Sequence, residues 1–421
     1  MITKRINLIA VDMGYGHQRA AYPLLDLSGG EIITLNNYEG IPEWEKNYWI
    51  KNLKSYENIS RFKKIPLLGR LVFAVMDSFQ KIDSFYPARD LSRPTIQQRF
   101  FYRFIKKGLG KDLIPKLDNS LPFVTTFFVA AQAAEYHNYP GDIYCIVCDT
   151  DASRAWAPLK PKTSRIKYFL PSEKLRERFL MYGLSNKNLF VTGFPLPKEN
   201  IGAKQEILKQ DLANRIKVLD VDKKYYNQYQ SLITEELPLA TRSNKEAITL
   251  TFAVGGAGAQ KEVGVLVLNK LAGKIKSGEI NLNLVAGSRQ EVKEYFEQAV
   301  NLLGLKDGVE IIFHPEKNGY FKLFNSCLRK TDILWTKPSE LSFYAALGLP
   351  IIISDPVGSQ ENFNRETLLN CGAGIDSLDP KYVDEWLPDL ISSGRLARAA
   401  MDGFLNLENL GTYHIEKMFC K

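Results

Sequence analysis

Residues 6–21, INLIAVDMGYGHQRAA, hold the strand, glycine turn and helix start from which the rest of the chain can be read. Ile6 to Val11 is short, apolar and rich in branched side chains, the pattern of a buried strand. Gly14 and Gly16 follow, and glycine permits the positive φ and close backbone approach of a tight turn. From His17 onward, Arg19, Ala20, Ala21 and Leu24 read as the first turns of a helix. A helix start there directs N–H groups and the positive end of a dipole at whatever lies over the turn. The dinucleotide fingerprint is excluded, because its third glycine falls at Arg19. His17 stands where a side chain can face a ligand.

Outward from this unit the same rhythm continues. EIITL (31–35), FVTTFF (123–128), DIYCIVCD (142–149), IKYFLPS (166–172) and NLFVTGFPL (188–196) are short apolar runs at helix-sized intervals. Residues 199–245 are weakly periodic and rich in Lys, Gln and Asn, and read as an interdomain connection with some helix. The rhythm restarts with AITLTFAV, NLNLVAG, VEIIFH, DILWTK and PIIISD. Alternating strands and helices of this kind build parallel sheets.

A second glycine turn, FAVGGAGAQKEVG (252–264), repeats the logic of the first. Gly255, Gly256, Ala257 and Gly258 are small enough for phosphate oxygens to reach main-chain N–H groups at a helix start. The expectation is an α/β protein of two facing Rossmann-like domains, with ligands beyond the C-terminal strand ends in the interdomain cleft. The divisions are an N-terminal domain 1–198, a connection 199–245, a C-terminal domain 246–400, and a helix 401–421 able to pack back on the N-terminal domain.

Bulk properties narrow the function. A chain of 421 residues exceeds one ordinary core, and its 45% hydrophobic and 24% charged content is that of a soluble globular protein. A formal charge of +8 suits anionic partners such as nucleotide phosphates or an acidic membrane surface. No nucleic-acid-binding motif accompanies that charge. The N-terminal apolar run is too short for a signal peptide and ends at Asp12. LPFVTTFFVAAQAA (121–134) is interrupted by Thr and Gln and falls short of a spanning helix. The 5 cysteines lack regular spacing, which points to a reduced, cytoplasmic protein. Cys145 and Cys148 lie in a strand pattern, three apart and so on opposite faces, and read as core. No histidine pair has metal-ligand spacing, so no metal is inferred.

The segment 335–375, WTKPSELSFYAALGLPIIISDPVGSQENFNRETLLNCGAGI, is the most specific in the chain. Ser339 is placed to cap a helix through ELSFYAALG. After the strand PIIIS comes a polar loop with Asp355, Ser359, Gln360, Glu361, Asn362 and Asn364, donors and acceptors that a sugar hydroxyl array requires.

Together these segments resemble the GT-B glycosyltransferases of the family-28 type. That group includes monogalactosyldiacylglycerol synthase, processive diacylglycerol glucosyltransferases and the lipid II N-acetylglucosaminyltransferase. GYGHQRAA (14–21) resembles their glycine-histidine turn, with Tyr15 in place of the middle glycine. VCDTDASRAWAP (147–158), VTGFPLP (191–197) and GLPIIISDPVGSQENFN with GAG are similar to their Val-Thr-Asp, Val-Thr-Gly and Gly-Gln-Glu runs. The resemblance implies that His17 lies by the acceptor hydroxyl and donor phosphates, with Asp149 or Asp151 near the acceptor. It implies that Gly14, Gly16 and Gly255 to Gly258 approach the donor, and that Gly358, Gln360, Glu361 and Asn364 contact its sugar or neighbours. The family's ribose-binding glutamate falls at Phe343, and Glu340 stands one helical turn earlier. Lys337 suits a diphosphate, and His314, at the end of VEIIF, is either a donor contact or a loop cap.

The expected reaction is sugar transfer from a nucleoside-diphosphate donor, UDP-linked, to an acceptor that can be a membrane lipid. Two alternatives stay open: a UDP-sugar hydrolase or epimerase, or a catalytically silent nucleotide-sugar-binding protein. Residues 61–116 mix basic and aromatic side chains, which suit either an anionic bilayer or two helices packed on the sheet. In the first case the protein is peripheral on the inner face of the plasma membrane. Phe104, Ile105 and Leu109 read as core-facing, and His137 and His414 as surface or loop residues.

Overall fold

In the computed structural model, which describes residues 4–51, 82–255, 258, 260–356 and 359–420, the chain folds as two units. The first comprises Met1–Pro195, Val357–Phe363 and Leu410–Lys421. The second comprises Leu196–Pro356 and Asn364–Asn409.

The first unit is built on β1 (Asn7–Ala10), β2 (Ile33–Thr34), β3 (Phe123–Thr125), β4 (Ile143–Ile146), β5 (Lys167–Leu170) and β6 (Leu189–Val191). They pair in parallel in the order β2-β1-β3-β4-β5-β6. Both faces of a parallel sheet are covered, which is why β1 and β4 are buried at every residue. Helices α1 (Gly16–Ala21), α2 (43–51), α3 (Ile96–Lys106), α4 (Phe128–Tyr136) and α5 (Glu173–Met181) surround it. One face packs Ile9, Ile105, Leu109, Phe127 and Trp156 together, with Phe104 partly buried against them. On the other, Leu8, Val124, Phe169 and Ile415 form a second core that includes the C-terminal helix Gly411–Phe419.

The second unit carries β7 (Ile248–Ala253), β8 (Ile280–Gly287), β9 (Val309–Phe313), β10 (Ile333–Thr336), β11 (Ile351–Ile353) and β12 (Gly374–Asp376). Their parallel order is β12-β11-β10-β7-β8-β9, the doubly wound Rossmann order. Its helices are α6 (Glu206–Leu219), α7 (Lys224–Glu236), α8 (Lys261–Lys276), α9 (Gln290–Leu303), α10 (Lys317–Lys330), α11 (Ser359–Asn370, of which this unit holds the part from Asn364), α12 (Val383–Ser392) and α13 (Arg395–Asn406). Phe252 of β7 and Trp335 of β10 pack edge to face at 5.8 Å in its core. Gly264 lets α8 approach β7, since a Cβ there would stand 3.0 Å from the Phe252 ring.

Several expectations need correction. The helix expected within 199–245 belongs to the second unit rather than to a separate connection: α6 buries Leu208, Leu212, Ile216 and Leu219 there. Arg215 of α6 donates to the carbonyls of Thr331, Leu347 and Leu328 at 2.7, 2.8 and 2.9 Å. Lys, Gln and Asn on the outer face had masked that periodicity. The C-terminal piece of the first unit starts at Leu410 rather than 401, because α13 buries Leu396, Met401 and Phe404 in the second. Residues 340–347 wind as a 3₁₀ helix, and Ser339 precedes it without a side-chain cap. The polar loop is helical, with Gln360, Glu361 and Asn364 in the first turns of α11. Cys148 lies beyond the end of β4, although both it and Cys145 are buried. The helix expected within 61–79 lies outside the described residues. No helix among the described residues is long and apolar enough to cross a membrane.

Candidate functional site

Strand order reverses at β1 and β3 in the first unit, and at β7 and β10 in the second. At such switch points the loops leaving neighbouring strands diverge and open a crevice at their carboxyl ends. Gly14 and His17 follow β1, Gly255 follows β7, and Lys337 and Glu340 follow β10, whereas Asp149 and Asp151 follow β4, His314 follows β9, and Gln360, Glu361 and Asn364 follow β11.

After β1, Gly14 adopts φ +103°, and a Cβ there would meet nothing within 4 Å. The backbone angle, not space, requires glycine at this position. Gly16 is the first residue of α1, which runs only 6 residues before passing into a 3₁₀ turn over Tyr22–Ser28. His17 lies in the first turn of α1, half-buried. Its Nδ1 is 2.7 Å from the carbonyl oxygen of Thr126, which follows β3. That oxygen also accepts from the Cys148 thiol at 3.6 Å. The edge of the Phe127 ring packs against the imidazole at 5.0 Å, and Trp156 lies 6.4 Å away. A carbonyl only accepts, so the neutral ring carries its proton on Nδ1 and its basic lone pair on Nε2.

The two aspartates separate. Asp149 is half-buried just past β4. Asp151 is buried and accepts from Arg178 Nε and Nη2 at 2.9 and 2.8 Å, and from the Ala152 N–H at 2.8 Å. Arg178 is fully buried, and its pair with Asp151 holds the 149–157 loop. Both carboxylate oxygens of Asp151 are thus bonded within the fold. Tyr168 and Gln132 bind the carbonyls of Trp156 and Ala155, fixing the Trp156 ring near His17.

At the second switch point, Gly255 follows β7 and Lys337 follows β10. A Cβ on Gly255 would stand 2.6 Å from Lys337 Cε, so the lysine stem lies across the turn. Gly258 takes φ +71°, and a Cβ there would be 3.5 Å from Arg289 Cδ. Arg289, absent from the sequence expectations, thus brings a second cation to the turn. Its only local signal was its place just past the strand end in VAGSRQ. Gly256, Ala257 and Gly358 lie outside the described residues.

Glu340 opens the 3₁₀ helix half-buried, and Phe343 three residues on is buried. In a 3₁₀ helix residues i and i+3 eclipse, so the two share one face. Asn364 is buried and donates to the Pro338 carbonyl at 3.3 Å, tying α11 to the Lys337 loop. Gln360 and Glu361 are half-buried in α11. His314 Nδ1 lies 3.0 Å from both the N–H and the carbonyl of Glu316, at the start of α10. Its ring fills the space over Gly319, so it serves as a local cap. His137 and His414 are likewise bound to main-chain carbonyls, of Leu109 and Thr192 at 3.2 and 3.0 Å.

The structure of S. aureus MnaA with UDP aligns with 99% of this chain and 97% of its own, at a TM-score of 0.50 and 13% identity. The chain has the GT-B fold. No protein-family profile matches this GT-B chain. It is 21% identical over 382 residues to a processive diacylglycerol beta-glucosyltransferase of Bacillus subtilis (strain 168), covering 88% of this chain and 83% of the relative. The enzyme of the same name from Bacillus pumilus (strain SAFR-032) is 22% identical over 385 residues, covering 88% and 82%. Resemblance to the family-28 type therefore extends along most of the GT-B chain, beyond its motif islands.

Proposed function

We propose that this protein is a glycosyltransferase that moves a sugar from a UDP-linked donor to the hydroxyl of a membrane lipid. The observation that carries the reading is His17, held by the Thr126 carbonyl at 2.7 Å at the switch point of the first unit. That bond orients Nε2 as a base. The relatives support a glucosyl transfer with a diacylglycerol-type lipid as acceptor, because those enzymes are named for it, and a UDP-linked donor is in keeping with the UDP in the MnaA structure.

In the proposed reaction the acceptor oxygen attacks the anomeric carbon as the bond from that carbon to the diphosphate oxygen breaks. The acceptor proton passes to His17 Nε2, and UDP leaves. Charge developing on the diphosphate meets the Lys337 ammonium beside Gly255 and the Arg289 guanidinium beside Gly258. Glu340 takes the ribose hydroxyls, and Gln360 and Glu361 take the sugar. Asp149 stays with His17 on the acceptor side. The protein is peripheral and works at the cytoplasmic face of a membrane.

Purified protein incubated with UDP-sugars, with and without lipid extract, tests the proposal. UDP release that depends on lipid is the expected result. Release or isomerisation without lipid would assign a hydrolase or epimerase instead. Binding without any turnover would assign a silent nucleotide-sugar-binding protein.

A further inference from the structure

In the first unit β6 is the outermost strand on one side of the sheet, and no described strand lies beyond it. Its ladder to β5 sets which backbone groups face outward. The Thr192 N–H donates to the Leu170 carbonyl at 3.0 Å, and Leu170 pairs with Val191. Alternate residues of a parallel ladder bond to opposite sides, so the N–H and C=O of Val191 turn away from β5. Charged side chains on the strand are a common guard for such an edge. β6 carries none: its residues are Leu189, Phe190 and Val191, and Val191 is 38% exposed.

A groove of about 750 Å³ runs along this edge. One wall is α5, with Glu173 and Arg176, and the other is the C-terminal helix, with His414, Lys417 and Met418. The two helices cover opposite faces of the sheet, since Leu175 and Phe179 lie in one core and Ile415 in the other. Arg176 Nε donates to Glu173 at 2.5 Å and its Nη1 to Asn186 at 2.8 Å. These bonds hold the guanidinium at the groove and pair the carboxylate beside it. His414 Nδ1 lies 3.0 Å from the Thr192 carbonyl oxygen, tying the C-terminal helix to the end of β6. The groove therefore offers a cation on each face of the strand, Arg176 on one and Lys417 on the other.

We infer that this edge docks an acidic segment of a partner protein, laid beside β6 as a further strand. Main-chain hydrogen bonds to Val191 serve any extended chain, and the flanking side chains select among sequences. Successive side chains of an extended chain point to opposite faces of the sheet, so neighbouring acidic residues reach Arg176 and Lys417 in turn. Charge complementarity thus selects the occupant. A second copy of this chain fits badly: β6 paired to β6 about a twofold axis would set Arg176 against Arg176 and Lys417 against Lys417.

Fluorescence anisotropy of the full chain with the labelled peptide Glu-Glu-Val-Glu-Glu-Val-Glu-Glu tests the groove, with neither sugar donor nor lipid present. The peptide should bind saturably, and more weakly as salt rises. Lysine in place of each glutamate should abolish binding, and N-methylation of the peptide backbone should weaken it about tenfold. Arg176→Gln with Lys417→Gln should also weaken it about tenfold, the scale of two exposed ion pairs. Val191→Pro removes the outward N–H and leaves the Thr192 bond to Leu170 in place, so it should cost about the same factor. Thermal unfolding close to that of wild type should show that the variants fold. No binding by wild type, equal binding of the lysine or N-methylated peptide, or equal binding by the folded double variant would overturn the inference. So would a dimer in sedimentation velocity that Val191→Pro dissolves.

Discussion

His17 and Thr126 meet at the switch point of the first sheet, Nδ1 lying 2.7 Å from the carbonyl oxygen. One hydrogen bond sets both the tautomer and the direction of the ring. His17→Ala should lower turnover by about 10² to 10⁴, the range of a general base, with little change in UDP affinity. His17→Asn keeps an N–H for Thr126, so it should fold like wild type and remain slow. Steady-state kinetics on the folded Asn variant decide the matter: turnover within a few-fold of wild type would leave GYGH a structural turn.

Gly255 and Lys337 make a second testable pair. Alanine at 255 puts a methyl group 2.6 Å from Lys337 Cε. A lysine stem can swing aside, so stability should barely change, but the ammonium leaves the turn. UDP affinity should fall by about 1.5 kcal/mol, the lower end of a charged hydrogen bond, with uridine affinity unaffected. Lys337→Met should cause the same loss, and the two changes together should not add. Titration calorimetry on the cycle of variants measures this directly.

Glu340 is expected to hold the ribose in place of the residue at Phe343, whose face it shares. Glu340→Gln should weaken UDP binding by about 1–3 kcal/mol. It should also narrow the preference for UDP over its 2′-deoxy analogue. Equal affinities for wild type and variant would remove Glu340 from the donor site.

Asp151 and Arg178 form a buried pair, and the expected role of that pair is in the fold rather than in the reaction. Asp151→Ala leaves a guanidinium buried without its carboxylate, and should cost about 3–5 kcal/mol of stability in urea unfolding. At low temperature the folded fraction should keep its kcat/KM. A selective fall in turnover at unchanged stability would return Asp151 to the acceptor side.

Burial pushes the Glu45 carboxyl up to about 7, against the Gly110 N–H that favours its charged form. Trp49 also favours the charged form, while Asp112 adds to the upward shift. Below about pH 4.5 the group is protonated whether the chain is folded or not. Between there and pH 7 the folded chain holds the proton that the unfolded chain releases, so stability falls as pH rises. The loss is about 3 kcal/mol. Glu45→Gln should flatten this slope, so it gains on wild type at pH 8 relative to pH 5, measured by chemical denaturation.

Local physics explains what could be read without coordinates. A buried parallel strand must be apolar on both faces, so INLIAV, AITLTFAV and PIIIS declare themselves. The turn after β1 needs φ +103° at Gly14, a demand set by the residue's own backbone. Two βαβ series, two glycine turns and the place of His17 follow from patterns a few residues long. Where local signals were thin, the reading failed. β12 has 3 half-buried residues and becomes a strand by pairing with β11. In α11 a polar surface conceals the helical period, and in α6 Lys, Gln and Asn hide a buried stripe.

Side-chain partners were decided by the tertiary structure. Asp149 and Asp151 are alike in sequence, and only the arrival of Arg178 from α5 makes one of them structural. Thr126 acts through its carbonyl, which no side-chain motif can advertise, from 109 positions beyond His17. Arg289 reaches the glycine turn because β8 lies beside β7 in the sheet. Sequence alone determined the fold class and the glycine turns after β1 and β7, because sterics and hydrophobic period act over neighbouring residues. Tertiary structure decided which polar groups are spent on the fold and which face the reaction, because a charge or hydrogen bond takes its role from groups that only folding brings near.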